Sequence, residues 1–170
     1  MHEYKVIDLS YFDTAAITLD DDIEIDCPAD KIWPIFENNN AWAEFTSGIK
    51  KATWTSAPPL HPGSTRHVEL SGMLGDGVVD EVFFDWQPGV QFAFYMKDGT
   101  SGMIVAYGEL WSLEDLGNGK TRLRLRTAFE LKGNFAEWFA KHIRRVLNWG
   151  YSFDLKSVKK YVQNHVGSTT

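Results

Sequence analysis

One long amphipathic stretch, residues 134–166, follows a run of strand-like sequence, residues 17–131, in which apolar and polar side chains alternate and aromatics are frequent. That order constrains the fold more than any single residue. A sheet with one apolar face needs a cover, and one long helix can supply it. A helix laid across a strongly curved sheet leaves a hollow between the two layers. The order of elements therefore predicts a container before it predicts a chemistry.

The alternation divides into strands at its turn signals. In the first strand, residues 17–27, Ile23, Ile25 and Cys27 share one face while Asp22, Glu24 and Asp26 share the other. The run Asp20-Asp21-Asp22 reads as a solvated turn rather than a metal site. Pro28 opens a helix, where its missing N–H costs nothing. Ile32, Trp33, Ile35 and Phe36 form the apolar side of that helix, and Pro34 bends it. Asn38-Asn39-Asn40 breaks it, and residues 41–45 form a second short helix carrying Trp42 and Phe45. Six strands follow, over residues 49–56, 64–71, 78–86, 90–97, 103–113 and 121–131, with turn signals between them that include the glycine-rich segment 72–77 and Gly117-Asn118-Gly119. Hairpin after hairpin implies an antiparallel sheet, and there is no glycine-rich strand-to-helix turn of the nucleotide-binding kind. The chain reads as α+β. Residues 1–16 are an irregular extension or an added edge strand, and residues 17–166 are a single domain.

Composition narrows the function classes. Seven tryptophans and eleven phenylalanines in 170 residues supply a large apolar core or pocket wall. A formal net charge of −6 repels phosphate backbones, which argues against nucleic acid as a partner. Cys27 is the only cysteine, so neither an internal disulfide nor a thiolate zinc cage forms. The first ten residues lack a secretory pattern, and no apolar run approaches the ~20 residues that span a bilayer. The expectation is a cytoplasmic protein without a membrane span, and a homodimer is compatible with it. The histidines, His2, His61, His67, His142 and His165, include no i, i+4 pair. There is no Gly-x-Ser-x-Gly elbow and no phosphate-binding loop, so no metal and no cofactor is expected.

Several local motifs occur in a telling order. They are Cys27-Pro28-Ala29-Asp30-Lys31-Ile32-Trp33 at the first strand-to-helix junction, Trp42 with Gly48-Ile49, Pro62-Gly63 before a strand, Glu81 with the run 86–94, and the segment 119–123. Together they resemble the START-like helix-grip superfamily, and within it the polyketide cyclase/dehydrase-like, or SRPBCC, proteins. The resemblance spans residues 17–166. It implies a curved seven-stranded antiparallel sheet gripping a long C-terminal helix, two short helices after the first strand, and a cavity between sheet and helix. Members of the superfamily bind lipids, hormones or aromatic polyketides; some catalyse cyclisation or aromatisation, and many have no demonstrated activity. Fold alone therefore leaves function open.

Alternation assigns the faces. A register pairing Trp111 with Leu123 puts Tyr107, Glu109, Trp111 and Leu113 on the side of Leu125, Thr127 and Phe129, and leaves Arg122, Arg124 and Arg126 on the other. A row of arginines belongs in water, so the Tyr107/Glu109 face is the inner one. A carboxylate there must be paired, hydrogen-bonded or protonated. Glu109 is then a polar anchor or a general acid/base, or simply a carboxylate satisfied by Tyr107. In the middle strands, burial favours Arg66, Val68, Leu70, Val78, Val82, Phe84, Trp86, Phe92, Phe94 and Met96 inside. Arg66 becomes an inward cation paired with Asp80 or Glu109. Some helix-grip families turn the carboxylate matching Glu81 inward instead, and a bulge near residues 72–77 would bring that about here. On the long helix, Phe139, Ile143, Val146 and Gly150 keep helical spacing on one face, and Lys141, His142, Arg144 and Arg145 form a basic flank.

The leading expectation is a binding module for a small hydrophobic or aromatic molecule. Its cavity is lined by Phe84, Phe94, Tyr107, Glu109, Trp111, Leu125, Thr127, Phe139, Ile143, Val146 and Gly150. An enzyme of the polyketide cyclase/aromatase kind would use the same cavity, with Glu109, Tyr107 or Arg66, or else Glu81, moving protons or polarising a carbonyl. A protein-interaction module like the superfamily's chaperone activators would instead have a filled core and an exposed groove.

Overall fold

The structure, a computed structural model, describes residues 1–46, 48–71, 76–133 and 152–166. β1 (His2–Glu3) and α1 (Tyr11–Thr14) precede β2 (Ile17–Ile25). Short helices α2 (Ala29–Ile32), α3 (Pro34–Glu37) and α4 (Asn39–Phe45) follow. The chain then runs through β3 (Ile49–Trp54), β4 (Thr65–Leu70), β5 (Gly77–Gln87), β6 (Gln91–Gly99), β7 (Ile104–Gly117) and β8 (Lys120–Leu131). Residues 152–165 are helical and are termed α5. Phe139, Ile143, Val146 and Gly150, the basic flank Lys141, His142, Arg144 and Arg145, and residues 72–75 of the glycine-rich turn lie outside the described residues.

The sheet is antiparallel with the order β2-β8-β7-β6-β5-β4-β3, and β1 adds to β6. This is the α+β helix-grip architecture expected from the sequence, a curved sheet with a C-terminal helix. Local chemistry explains two departures from the expected boundaries. The acidic run lies inside β2, not in a turn, because Asp20, Asp22 and Glu24 stand opposite Arg126, Arg124 and Arg122 of β8. These opposed charges form a cross-strand ladder on the outer face, with Arg124 on Asp20 at 2.5 Å and Arg122 on Glu24 at 3.3 Å. The asparagine run breaks the first helical stretch, as expected, and also starts the next: α3 ends at Glu37, and the Asn38 side chain accepts from the Asn40 N–H at 3.1 Å and caps α4, which begins at Asn39 rather than residue 41.

Helices α2 to α4 carry an aromatic layer onto the inner face of the sheet. Trp33, Phe36, Trp42 and Phe45 meet Phe83, Trp86, Phe92 and Trp111 in one buried cluster. Phe92 and Trp111 stack with centroids 6.1 Å apart, and Trp42 meets Trp111 edge-on at 5.8 Å. Each such ring contributes about 1.5–3 kcal/mol through burial. From α5, Leu155, Val158 and Val162 join the same core.

The outer face is covered as well, by the N-terminal segment. β6 and β7 are paired only between residues 91–95 and 108–112. Where they part, the chain enters the seam: the Tyr4 N–H donates to the Lys97 carbonyl at 2.9 Å and the Lys5 N–H to the Val105 carbonyl at 2.8 Å. Ile7 and Phe12 then pack over Ala93, Tyr95, Ala106 and Ala128. Gly108 makes this seating possible, because a Cβ there would lie 2.3 Å from Ile7 Cδ1 and 2.8 Å from the Phe94 carbonyl oxygen.

That second cover overturns the expected faces of β5. Val79, Glu81 and Phe83 point inward, while Val82 and Phe84 lie on the outer face, packed with the N-terminal segment and Tyr95. Phe84 is therefore not an inner-face residue. Its ring sits 6.0 Å from that of Tyr95. A register shift between Phe83 and Asp85, with Phe84 as the extra residue of β5, returns Trp86 to the inside opposite Phe92. The burial argument assumed one apolar face, and this sheet has two.

Candidate functional site

Strand β7 carries the polar group of the inner face. Tyr107, Glu109, Trp111 and Leu113 stand opposite Phe129, Thr127, Leu125 and Leu123. The expected pairing of Trp111 with Leu123 is off by two residues, which preserves the face because the side-chain period is two. Tyr107 donates its hydroxyl to Glu109 Oε1 at 2.5 Å, and Trp111 donates its indole N–H to Oε2 at 2.8 Å. Burial pushes the Glu109 carboxyl up to about 7; the two hydrogen bonds oppose the rise, and Glu81 and Asp154 of α5 add to it. None of these four influences is a cation.

Exposure separates this group from its surroundings. Phe94, Trp111, Leu125 and Thr127 are buried, whereas Tyr107 and Glu109 are half-buried. The inner face is thus packed shut at its Trp111 end and keeps open surface at Tyr107 and Glu109. Thr127, directly across from Glu109, has a buried hydroxyl without a hydrogen-bond partner.

A second polar group is closed. Arg66 is 0% exposed, and its Nε and Nη2 lie 2.7 and 2.6 Å from Glu81 Oε2. Its guanidinium lies 4.0 Å from the Trp42 ring, with Trp54, Phe83 and Phe94 at 5.4, 5.1 and 5.4 Å. Burial pushes the Glu81 carboxyl up, and Arg66 pulls it only part of the way back. Neither Asp80 nor Glu109 is the partner of Arg66. The β4–β5 hairpin sets Arg66 opposite Glu81 and His67 opposite Asp80, and the latter two bond at 2.6 Å on the outer face. The signal for this pairing was present: a hairpin closing at Leu70 and Gly77 aligns 66 with 81. Trp42 had no comparable signal, since its place on a helix does not reveal which strand it meets. Among the described residues, no group of three or more His, Cys, Asp or Glu is placed to hold a metal ion. No helix of the described residues is long and apolar enough to cross a membrane.

Comparison with known proteins agrees with this fold. An uncharacterized protein of Mycobacterium tuberculosis is 28% identical over 133 residues, covering 78% of this chain and 77% of the relative. The fold is similar to that of a START superfamily protein from Mycobacterium smegmatis, with a TM-score of 0.70 at 16% identity over 86% of this chain and 97% of that one. It is also similar to an aromatase/cyclase from Streptomyces, with a TM-score of 0.72 at 13% identity over 91% of this chain and 99% of the other. The family described as polyketide cyclase / dehydrase and lipid transport matches residues 16–163, and the chain belongs to that family.

Proposed function

We propose that the protein binds a small, largely apolar molecule against the inner face of its sheet, with the polar end of that molecule at Glu109 and Tyr107. One observation carries the reading: a half-buried carboxylate and phenol stand on a face that is otherwise aromatic and closed. A bound molecule would gain about 25 cal/mol per Å² of apolar surface buried there, and the polar pair would orient it. Phe94, Trp111, Leu125 and Thr127 back this surface. The family's association with lipid transport and polyketide cyclisation is consistent with such a ligand. Native mass spectrometry of protein purified without detergent, followed by solvent extraction, tests the proposal. An apolar compound is expected to leave with the extract. An empty protein in every preparation, with no stabilisation in a thermal-shift screen of apolar compounds, would refute it.

A specific observation favours a second reading, proton transfer on such a ligand. A carboxyl that titrates near 7 populates both its acid and its base form at neutral pH, and the Tyr107 hydroxyl lies 2.5 Å away. Turnover of a flexible polyketone by the wild type, lost in Glu109→Gln, would establish it; equal rates would exclude a catalytic role for this carboxyl.

A further inference from the structure

Among the described residues the inner face carries two charged sites, and they differ in whether a described residue supplies the counter-charge. Arg66 is closed, paired with Glu81 and boxed by aromatic rings. The guanidinium already has its counter-charge and is fully buried, so among the described residues no open surface leads a ligand to it, although its Nη1 and Nη2 lack a hydrogen-bond partner. Glu109 is the opposite case. Among the described residues its hydrogen-bond donors are the neutral Tyr107 hydroxyl and Trp111 indole, and the charges acting on it, Glu81 and Asp154, are negative. Each carboxylate oxygen accepts one of these bonds and retains a further lone-pair site.

The surroundings suit a cation that is also apolar. Phe94 is the cross-strand neighbour of Glu109 on β6, and Trp111 and Tyr107 flank it along β7. Aromatic faces carry negative quadrupole charge and attract ammonium groups, the more so away from water. A carboxylate framed by aromatic rings complements a protonated amine, and it repels a carboxylate or phosphate.

We infer that the inner-face site selects a hydrophobic amine, an aromatic or alkyl molecule whose protonated nitrogen supplies a counter-ion at Glu109. This inference rests on the reading that an apolar molecule occupies the inner face. The ammonium donates to the free lone pairs of Glu109, Tyr107 keeps its own hydrogen bond, and the hydrocarbon part lies along the aromatic wall.

Three probes with one skeleton test it: 2-naphthylmethylamine, 2-naphthylmethanol and 2-naphthoate, titrated calorimetrically at pH 7.5 and low salt. The amine is expected to bind on the order of tenfold more tightly than the alcohol, as hydrogen bonds to charged groups warrant, and the naphthoate most weakly. In Glu109→Gln the amine should lose its advantage and bind no more tightly than the alcohol. Equal binding of amine and alcohol, or an amine advantage that survives Glu109→Gln, overturns the inference and leaves apolar binding standing. Tightest binding of the naphthoate overturns it in favour of Arg66. Failure of all three to bind overturns both the inference and the reading beneath it. The wild-type ranking decides the matter even where the variant does not fold.

Discussion

Replacing Glu109 by glutamine should shift stability progressively in favour of the variant as pH rises. Burial raises the Glu109 carboxyl from its ordinary 4.5 to about 7. At about 1.36 kcal/mol per unit, that difference corresponds to roughly 3 kcal/mol. The side chain is half-buried, so residual solvent screening reduces the figure to about 2–3 kcal/mol. Between pH 4.5 and about 7 the folded state holds the proton more tightly than the unfolded chain. Stability therefore falls as pH rises through that window, and the loss is complete above it. Glutamine has no proton to lose and escapes this penalty. Its amide oxygen can accept from the Trp111 N–H while its amide nitrogen donates to the Tyr107 hydroxyl oxygen, and any difference in these hydrogen bonds applies equally at every pH. The readout is thus the change in the difference between variant and wild type, measured by urea unfolding at a series of pH values. That difference should grow in favour of the variant by about 2–3 kcal/mol between pH 4 and pH 8. Parallel stability curves, with a difference constant to about 0.5 kcal/mol, would refute the account of a carboxyl held in a poorly solvated position.

Glu81→Leu alone strands the Arg66 guanidinium and should cost about 3–5 kcal/mol in urea unfolding, whereas Arg66→Met with Glu81→Leu should recover most of it. Simple additivity of the two changes would show that the ion pair is not coupled. Deleting residues 1–8 removes Tyr4 and Ile7, each 6% exposed, and the two backbone hydrogen bonds in the β6–β7 seam. A loss of about 3–5 kcal/mol is expected from the burial and the hydrogen bonds, and an unchanged melting temperature would show that this segment adds nothing to the sheet. Thr127→Val removes a buried hydroxyl that has no partner and keeps the side chain's shape. It should stabilise the ligand-free protein by roughly 1 kcal/mol. Destabilisation would show that the hydroxyl is bonded in solution.

What the residues determined unaided was local or periodic. Alternation and turn chemistry act between near neighbours, so the strands, the hairpins and the antiparallel order were legible. So was the placing of Tyr107, Glu109 and Trp111 on one face, because an error of two residues in register leaves a face unchanged. The row Arg122, Arg124, Arg126 was legible for the same reason. Tertiary structure decided the rest. An N-terminal segment without periodicity brings Ile7 and Phe12 to the outer face. That cover lets Val82 and Phe84 point outward, turns Glu81 in towards Arg66, and moves Phe84 off the inner face. The shifts at Asp80/Glu81 and Phe83/Asp85 follow from packing on both sides of β5, which no strand pattern encodes. Trp42 over Arg66 joins a helix to a strand 24 positions away. Contacts of that range depend on how layers settle against each other, and only the assembled molecule contains that information.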